Sequence, residues 1–135
     1  MIPSNRKRPE VRGKDMRRIR TGRQGEDLAA GYLERAGYRI IARNYRCLFG
    51  EMDLVARDGA AIVFIEVKSR KSDRFGPPQS SVGPKKQKKM SQIALHYLEQ
   101  NQLHACEARF DVVAVSLLPA GHRVELIQNA FDLAW

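Results

Sequence analysis

Three residues near the middle of the chain have the types and spacing to act on a phosphodiester: Asp53, then, after twelve intervening residues, Glu66 and Lys68 at the end of an apolar run. Asp58-Gly59 lies between them and is the strongest short hairpin signal, so 51–57 and 60–69 read as two antiparallel strands. With Asp58 and Gly59 as the turn residues, Arg57 faces Ala60, Asp53 falls opposite Phe64 and Glu51 opposite Glu66. One face then carries Met52, Leu54, Ala56, Ala61, Val63, Ile65 and Val67, an apolar set that must cover a core. The other carries Glu51, Asp53, Val55, Arg57, Ile62, Phe64, Glu66 and Lys68. In this register Glu66 is the diagonal neighbour of Asp53, roughly 7–8 Å away, so the two carboxylates can converge on one ion.

Two carboxylates held together repel, and such a pair is tolerated when a cation or a proton sits between them. Oxygen ligands alone point to a hard ion, Mg²⁺ or Mn²⁺. Such an ion activates water and stabilises charge on a phosphoryl oxygen, and a neighbouring lysine orients the water or neutralises the developing charge. Other chemistries find no support. His96, His104 and His122 lack the spacing of a helical metal site, and Cys47 and Cys106 form no CxxC pair, so all five read as packing or surface residues. No G-x-x-x-x-G-K-[ST] run occurs, which excludes a P-loop.

The elements that must position these residues follow from periodicity. Leu28, Ala29, Tyr32, Leu33 and Ala36 repeat at helical spacing before Gly37, predicting a helix over 23–36. A strand over 38–46 comes next, then the hairpin, then a polar loop over 71–83 in which Phe75-Gly76 either gates a substrate or plugs the core. Pro84 opens a second helix whose buried stripe is Met90, Ile93, Ala94, Tyr97 and Leu98. Two strands over 107–117 and 123–127 complete the order αβββαββ, an α/β protein with one mixed sheet and helices packed on it. Asp111 in the first of these reads as a structural salt-bridge partner, with Arg109 beside it.

The 135 residues suit a single domain. Net charge is +9, of which +6 falls in residues 1–22, a basic and apolar-poor stretch expected to be a disordered tail ahead of a domain over 23–135. Such arms bind phosphate backbones; the alternatives are a merely solubilising tail, or upstream sequence if translation starts at Met16. No apolar run reaches membrane-span length and no secretory signal is recognisable, so the expected location is the cytoplasm, with no membrane partner.

Several motifs in order resemble a known family. GRQGEDLAAGYLERAGYRIIARNYR, GEMDLVARDG, FIEVKSR, FG and RFDVVAV resemble the YraN family of predicted endonucleases, itself similar to archaeal Holliday-junction resolvases. Asp53 with Glu66-Val67-Lys68 resembles the D…ExK signature of the PD-(D/E)XK superfamily, although Met52 stands where the signature's proline would be. The resemblance implies a restriction-endonuclease-like fold and metal-dependent cleavage of DNA, with branched or damaged DNA as a candidate substrate. It makes Asp53 and Glu66 metal ligands, Lys68 the catalytic lysine and Glu26 the helix-one acid that joins them. On the residues alone, Glu26 extends the Ala29, Leu33, Ala36 stripe toward the sheet, or is simply a first-turn acid favoured by the helix dipole. Gln87 stands where related nucleases keep a polar site residue, and Lys85, Lys86, Lys88 and Lys89 around it read either as phosphate contacts or as a solvated helix face. Glu51 reads as a supporting acid or as the partner of an arginine. The rival expectation is a non-catalytic nucleic-acid-binding protein on the same fold; a homodimer or a protein partner is compatible with either.

Overall fold

The structure, a computed structural model, describes residues 13–71 and 82–134, with side chains from residue 20 onward in the first helix. The N-terminal arm before Gly13 and the Phe75-Gly76 loop therefore lie outside the described residues.

The element order is α1 (Gly13–Arg35), β1 (Arg39–Cys47), β2 (Gly50–Asp58), β3 (Ala61–Arg70), α2 (Pro84–Gln100), β4 (Ala108–Leu118) and β5 (Gly121–Phe131). This is the αβββαββ order that the periodicities imply. Helix α1 starts at Gly13 rather than near Arg23, so part of the stretch expected to be tail is helix. Its first turns carry no apolar stripe for a periodicity reading to detect, but Lys, Arg and Met are good helix formers.

The five strands lie in sequence order, β1-β2-β3-β4-β5. Only β3 and β4 are parallel, joined by the α2 crossover; the other neighbours are antiparallel. Helix α1 covers one face, with Ala29 and Leu33 against Leu54, Val63, Ile65, Val113 and Val115. Helix α2 covers the other, with Met90, Ile93, Ala94 and Tyr97 against Val55, Ile62, Phe64 and Val112. Both faces of β3 are therefore buried. No helix among the described residues is long and apolar enough to cross a membrane.

The hairpin register departs from expectation by two residues. Asp58 pairs with Ala61 and Val55, not Asp53, pairs with Phe64. The central turn residues are Gly59, at φ +60°, and Ala60. Asp58 is held outside the turn by Arg109, whose Nη2 donates to Asp58 Oδ2 at 2.8 Å. A slip of two preserves the pleat, so the apolar residues from Leu54 to Val67 keep their expected faces. Met52 does not: expected beside Leu54 and Ala56, it packs instead in the α2-side core with Val55 and Phe64, so the alternation breaks at Asp53.

Asp111 is fully buried and anchors a network on the α1 face. It accepts from Tyr38 Oη at 2.7 Å, from Arg109 Nε at 2.9 Å and from the backbone N–H of Asn129 at 2.9 Å. An irregularity in β5 opposite Phe110 and Val112, with Asn129 at φ +51°, aims that N–H inward. Burial, with the Asp111 charge adding to it against the Gln128 hydrogen bond, pushes the Tyr38 phenol up to about 12. The structural salt bridge expected at Asp111 is thus present. Asp111→Ala would leave the Tyr38 hydroxyl proton and the Asn129 N–H without their acceptor in a buried place and Arg109 with Asp58 as its remaining carboxylate, and is expected to lower stability by about 3–5 kcal/mol in urea denaturation.

Candidate functional site

The β2–β3 register runs out at Leu54↔Ile65. Beyond it the Val67 N–H meets a side chain, donating to Asp53 Oδ2 at 2.8 Å. Asp53 therefore sits at a local parting of two strands, facing Glu66, and nearer to opposite than diagonal. Glu66 and Lys68 lie toward the C-terminal end of β3, where β3 runs parallel to β4 and the α2 crossover starts, the usual place for a site in such sheets.

Around this point a cleft of about 790 Å³ opens between the sheet and the start of α2. Its lining includes Glu26, Glu51, Asp53 and Glu66 on the acidic side, Lys85, Lys86 and Lys89 on the basic side, and Met90 and Ile93 as an apolar floor. Helix α1 delivers Glu26 by close approach. A Cβ on Gly25 would stand 1.7 Å from Ser69 Oγ and 2.9 Å from Ser69 Cβ, so only glycine lets the helix pack this tightly on β3 beside the site. On α2, Pro84 fits the first helical position because it has no N–H to leave unpaired.

The expected site residues separate accordingly. Asp53, Glu66 and Glu26 come together, with Lys85, Lys86 and Lys89 across the cleft. Lys68 Nζ lies 3.7 Å from Glu66 Oε1. Gln87 turns away from the lining: its amide donates to the Val82 carbonyl at 2.9 Å and fastens the chain entering α2. Lys88 is exposed and outside the lining. Glu51 answers to both readings given for it, since it lines the cleft and pairs with Arg46 at 3.2 Å. The close contact of Lys86 Nζ with Glu66 Oε1, at 2.7 Å, was not expected. A run of lysines in a first helical turn does not reveal which one reaches inward.

Electrostatically the site is strained toward taking up positive charge. Burial pushes the Asp53 carboxyl from its ordinary 3.8 up to about 7, and the charges of Glu66 and Glu26 push the same way against the Val67 hydrogen bond and the Lys86 ammonium. Glu66 is 5% exposed and has two lysines on one oxygen. Among the described residues no three His, Cys, Asp or Glu side chains are gathered into a ready-made cage. The donor set still fits a hard cation. It is all oxygen, it is short of positive charge, Lys86 already stands on Glu66 as a cation would, and Mg²⁺ needs only one or two carboxylates with water completing its shell.

Comparison with known proteins agrees on one family. Residues 25–115, which hold Glu26, Asp53, Glu66, Lys68 and the whole of α2, match the family described as Uncharacterised protein family UPF0102. A UPF0102 protein of Syntrophus aciditrophicus is 61% identical over 117 residues, covering 87% of this chain and 92% of the relative. One of Geobacter sulfurreducens is 52% identical over 115 residues, covering 84% and 90%. One of Pelobacter propionicus is 46% identical over 136 residues, covering 98% and 92%. With the family match running from the second half of α1 through most of β4 and taking in α2 and the acids of the cleft, and relatives this similar over most of both lengths, the chain belongs to the UPF0102 family.

Proposed function

We propose that this protein is a divalent-metal-dependent nuclease of the PD-(D/E)XK kind that hydrolyses phosphodiester bonds in DNA, with branched or damaged DNA in recombination or repair as its setting and the cytoplasm as its location. One observation carries the reading: Asp53, half-buried, and Glu66, buried, repel each other and share a cleft with three lysines. A site for a neutral ligand has no use for that cost, whereas a phosphodiester and its metal ion meet it from both sides.

Asp53 and Glu66, with Glu26 behind them, are the residues to hold Mg²⁺ or Mn²⁺. When bound, the ion would supply an activated water and charge stabilisation at a phosphoryl oxygen. Asp53 gives up its proton as positive charge enters. Lys85 and Lys89, with the N-terminal turn of α2 beneath them, hold the phosphates of the strand. Lys86 is displaced from Glu66 to a phosphate, and Lys68, 3.7 Å from Glu66, neutralises charge developing on the scissile group.

The second reading, a non-catalytic nucleic-acid-binding protein, rests on the same Lys86–Glu66 contact, taken as a permanent neutralisation of the acid. Purified protein incubated with labelled single-stranded, duplex, flapped and four-way DNA separates the two. The nuclease cuts at least one of them in Mg²⁺ or Mn²⁺ and none in chelator. Binding without cutting under every metal condition would transfer the assignment to the second reading.

A further inference from the structure

The β1–β2 hairpin tip breaks a local rule. Turn positions favour Gly, Asn, Asp, Ser and Pro, which adopt turn dihedrals at low cost and suit water. Between the paired Cys47 and Gly50, this chain places Leu48 and Phe49, which are 82% and 37% exposed. Leu48 packs into neither core. Where local preference is violated without benefit to folding, function is the usual reason.

Phe49 is held in place from beneath. Its ring stands edge-on to His96, with centroids 6.1 Å apart, and His96 Nδ1 is 2.8 Å from Tyr45 Oη. The Tyr45 ring packs edge-on against Tyr97 at 5.1 Å, and Tyr97 against Phe64 at 5.7 Å. A ladder of rings thus runs from the buried face of the sheet to the tip. A flat ligand stacking there would meet a surface already ordered, which lowers the entropy cost of binding.

The tip also adjoins the cleft. Gly50, at φ +137°, lies so close to Lys89 that a Cβ there would stand 2.6 Å from Lys89 Cε, and Lys89 and Glu51 both line the cleft. Phe49 is the residue before β2 and four residues from Asp53 along the chain, so at most about 13 Å away at roughly 3.3 Å per residue. Lys85, Lys88, Lys89 and Arg46 are exposed nearby in sequence or on neighbouring elements, which favours a polyanion over an ordinary protein surface.

We propose that Leu48 and Phe49 form a stacking wedge for an unpaired base on a strand whose phosphates pass along Lys89 into the cleft. The site accordingly prefers nucleic acid with unpaired nucleotides over continuous duplex. Every base has an apolar face that stacks on such a surface regardless of sequence. In a duplex those faces are covered, and exposing one requires unstacking that an unpaired nucleotide does not. The inference rests on the nuclease reading of the cleft.

The test measures binding rather than cleavage. Full-length protein carrying Asp53→Asn is titrated by fluorescence anisotropy, at several salt concentrations, with one labelled DNA strand: alone, in duplex, and in a duplex with an unpaired gap. Adding Leu48→Ala and Phe49→Ala should weaken binding to the single-stranded and gapped forms about tenfold or more, leave duplex binding unchanged and preserve the salt slope, because phosphate contacts are untouched. Phe49→Trp should retain affinity. Equal weakening on all three forms, or none, overturns the wedge, as does Phe49→Trp behaving like Phe49→Ala. A tip variant that changes oligomeric state on sedimentation while DNA binding is unaltered makes the tip a protein contact and also overturns it. If the parent protein binds none of the DNAs, the nuclease reading fails as well; if parent and tip variants bind all three alike, only the wedge fails.

Discussion

Asp53→Ala and Glu66→Ala are each expected to reduce metal-dependent cleavage by at least about a hundredfold, the scale on which removing one charge-stabilising group acts in an enzyme site. Fold and DNA binding should survive. Asp53 contributes one hydrogen bond, from the Val67 N–H, and its removal relieves repulsion with Glu66 and Glu26. Glu66 differs, because two lysines converge on its Oε1 and its loss leaves them repelling each other at the cleft wall. Glu66→Gln is therefore the better probe of chemistry and Glu66→Ala the harsher test of the fold.

The lysines should divide by role. Lys68→Ala is expected to lose cleavage while retaining Mn²⁺ binding measured by calorimetric titration, because its 3.7 Å approach to Glu66 leaves room for an ion and its task lies in the transition state. Lys86→Ala should tighten Mn²⁺ binding, because at 2.7 Å its ammonium competes with any cation for the same oxygen. The same substitution should weaken DNA binding if Lys86 moves to a phosphate when the ion enters. Equal Mn²⁺ affinity in the wild type and in an Asp53→Ala, Glu66→Ala double variant would sink the metal assignment.

The order of elements and the faces of the hairpin from Leu54 to Val67 were legible in the sequence because both rest on short-range periodicity, whereas Met52, beyond the break at Asp53, packs on the other face. Leu28, Ala29 and Leu33 mark α1, and alternation marks the hairpin, whatever the remainder of the chain does. The register was not, because a tertiary contact decides it. Arg109, far along the chain, claims Asp58 and moves the turn on to Gly59-Ala60. That shift brings Asp53 closer to Glu66 than the Asp58-Gly59 turn implies, so the candidate site is tighter than local rules suggest. Gln87 shows the opposite failure: a polar residue at the right helical position is turned aside to donate to the backbone carbonyl of Val82. The close packing of Gly25 on Ser69, which sets Glu26 beside the cleft, leaves no pattern in a single sequence, since a glycine within a helix there reads only as a weak helix former.

Stability should fall as pH rises through the range where Asp53 differs between folded and unfolded chain. The unfolded carboxyl titrates near 3.8 and the folded one near 7, chiefly because of burial and then the Glu66 charge. Below about 4 both states hold the proton and the residue contributes nothing to the difference. Between 4 and 7 the unfolded chain releases its proton while the folded chain keeps it, so folding becomes less favourable by about 1.4 kcal/mol per pH unit, on the order of 4 kcal/mol at most. Above 7 both are ionised and the penalty stays constant. Asp53→Asn removes the titration and can still accept from the Val67 N–H. In urea denaturation it should match the wild type near pH 4 and exceed it by an increasing margin up to pH 7. Saturating Mn²⁺ at pH 8 should narrow that margin, since the ion stabilises only the protein that binds it. Its apparent affinity should fall about tenfold per unit below pH 7, where it must displace the Asp53 proton. A margin independent of pH, or an Asp53→Asn protein less stable than the wild type at pH 8, would show that Asp53 is ionised and satisfied in the folded chain, and that the site does not await a cation.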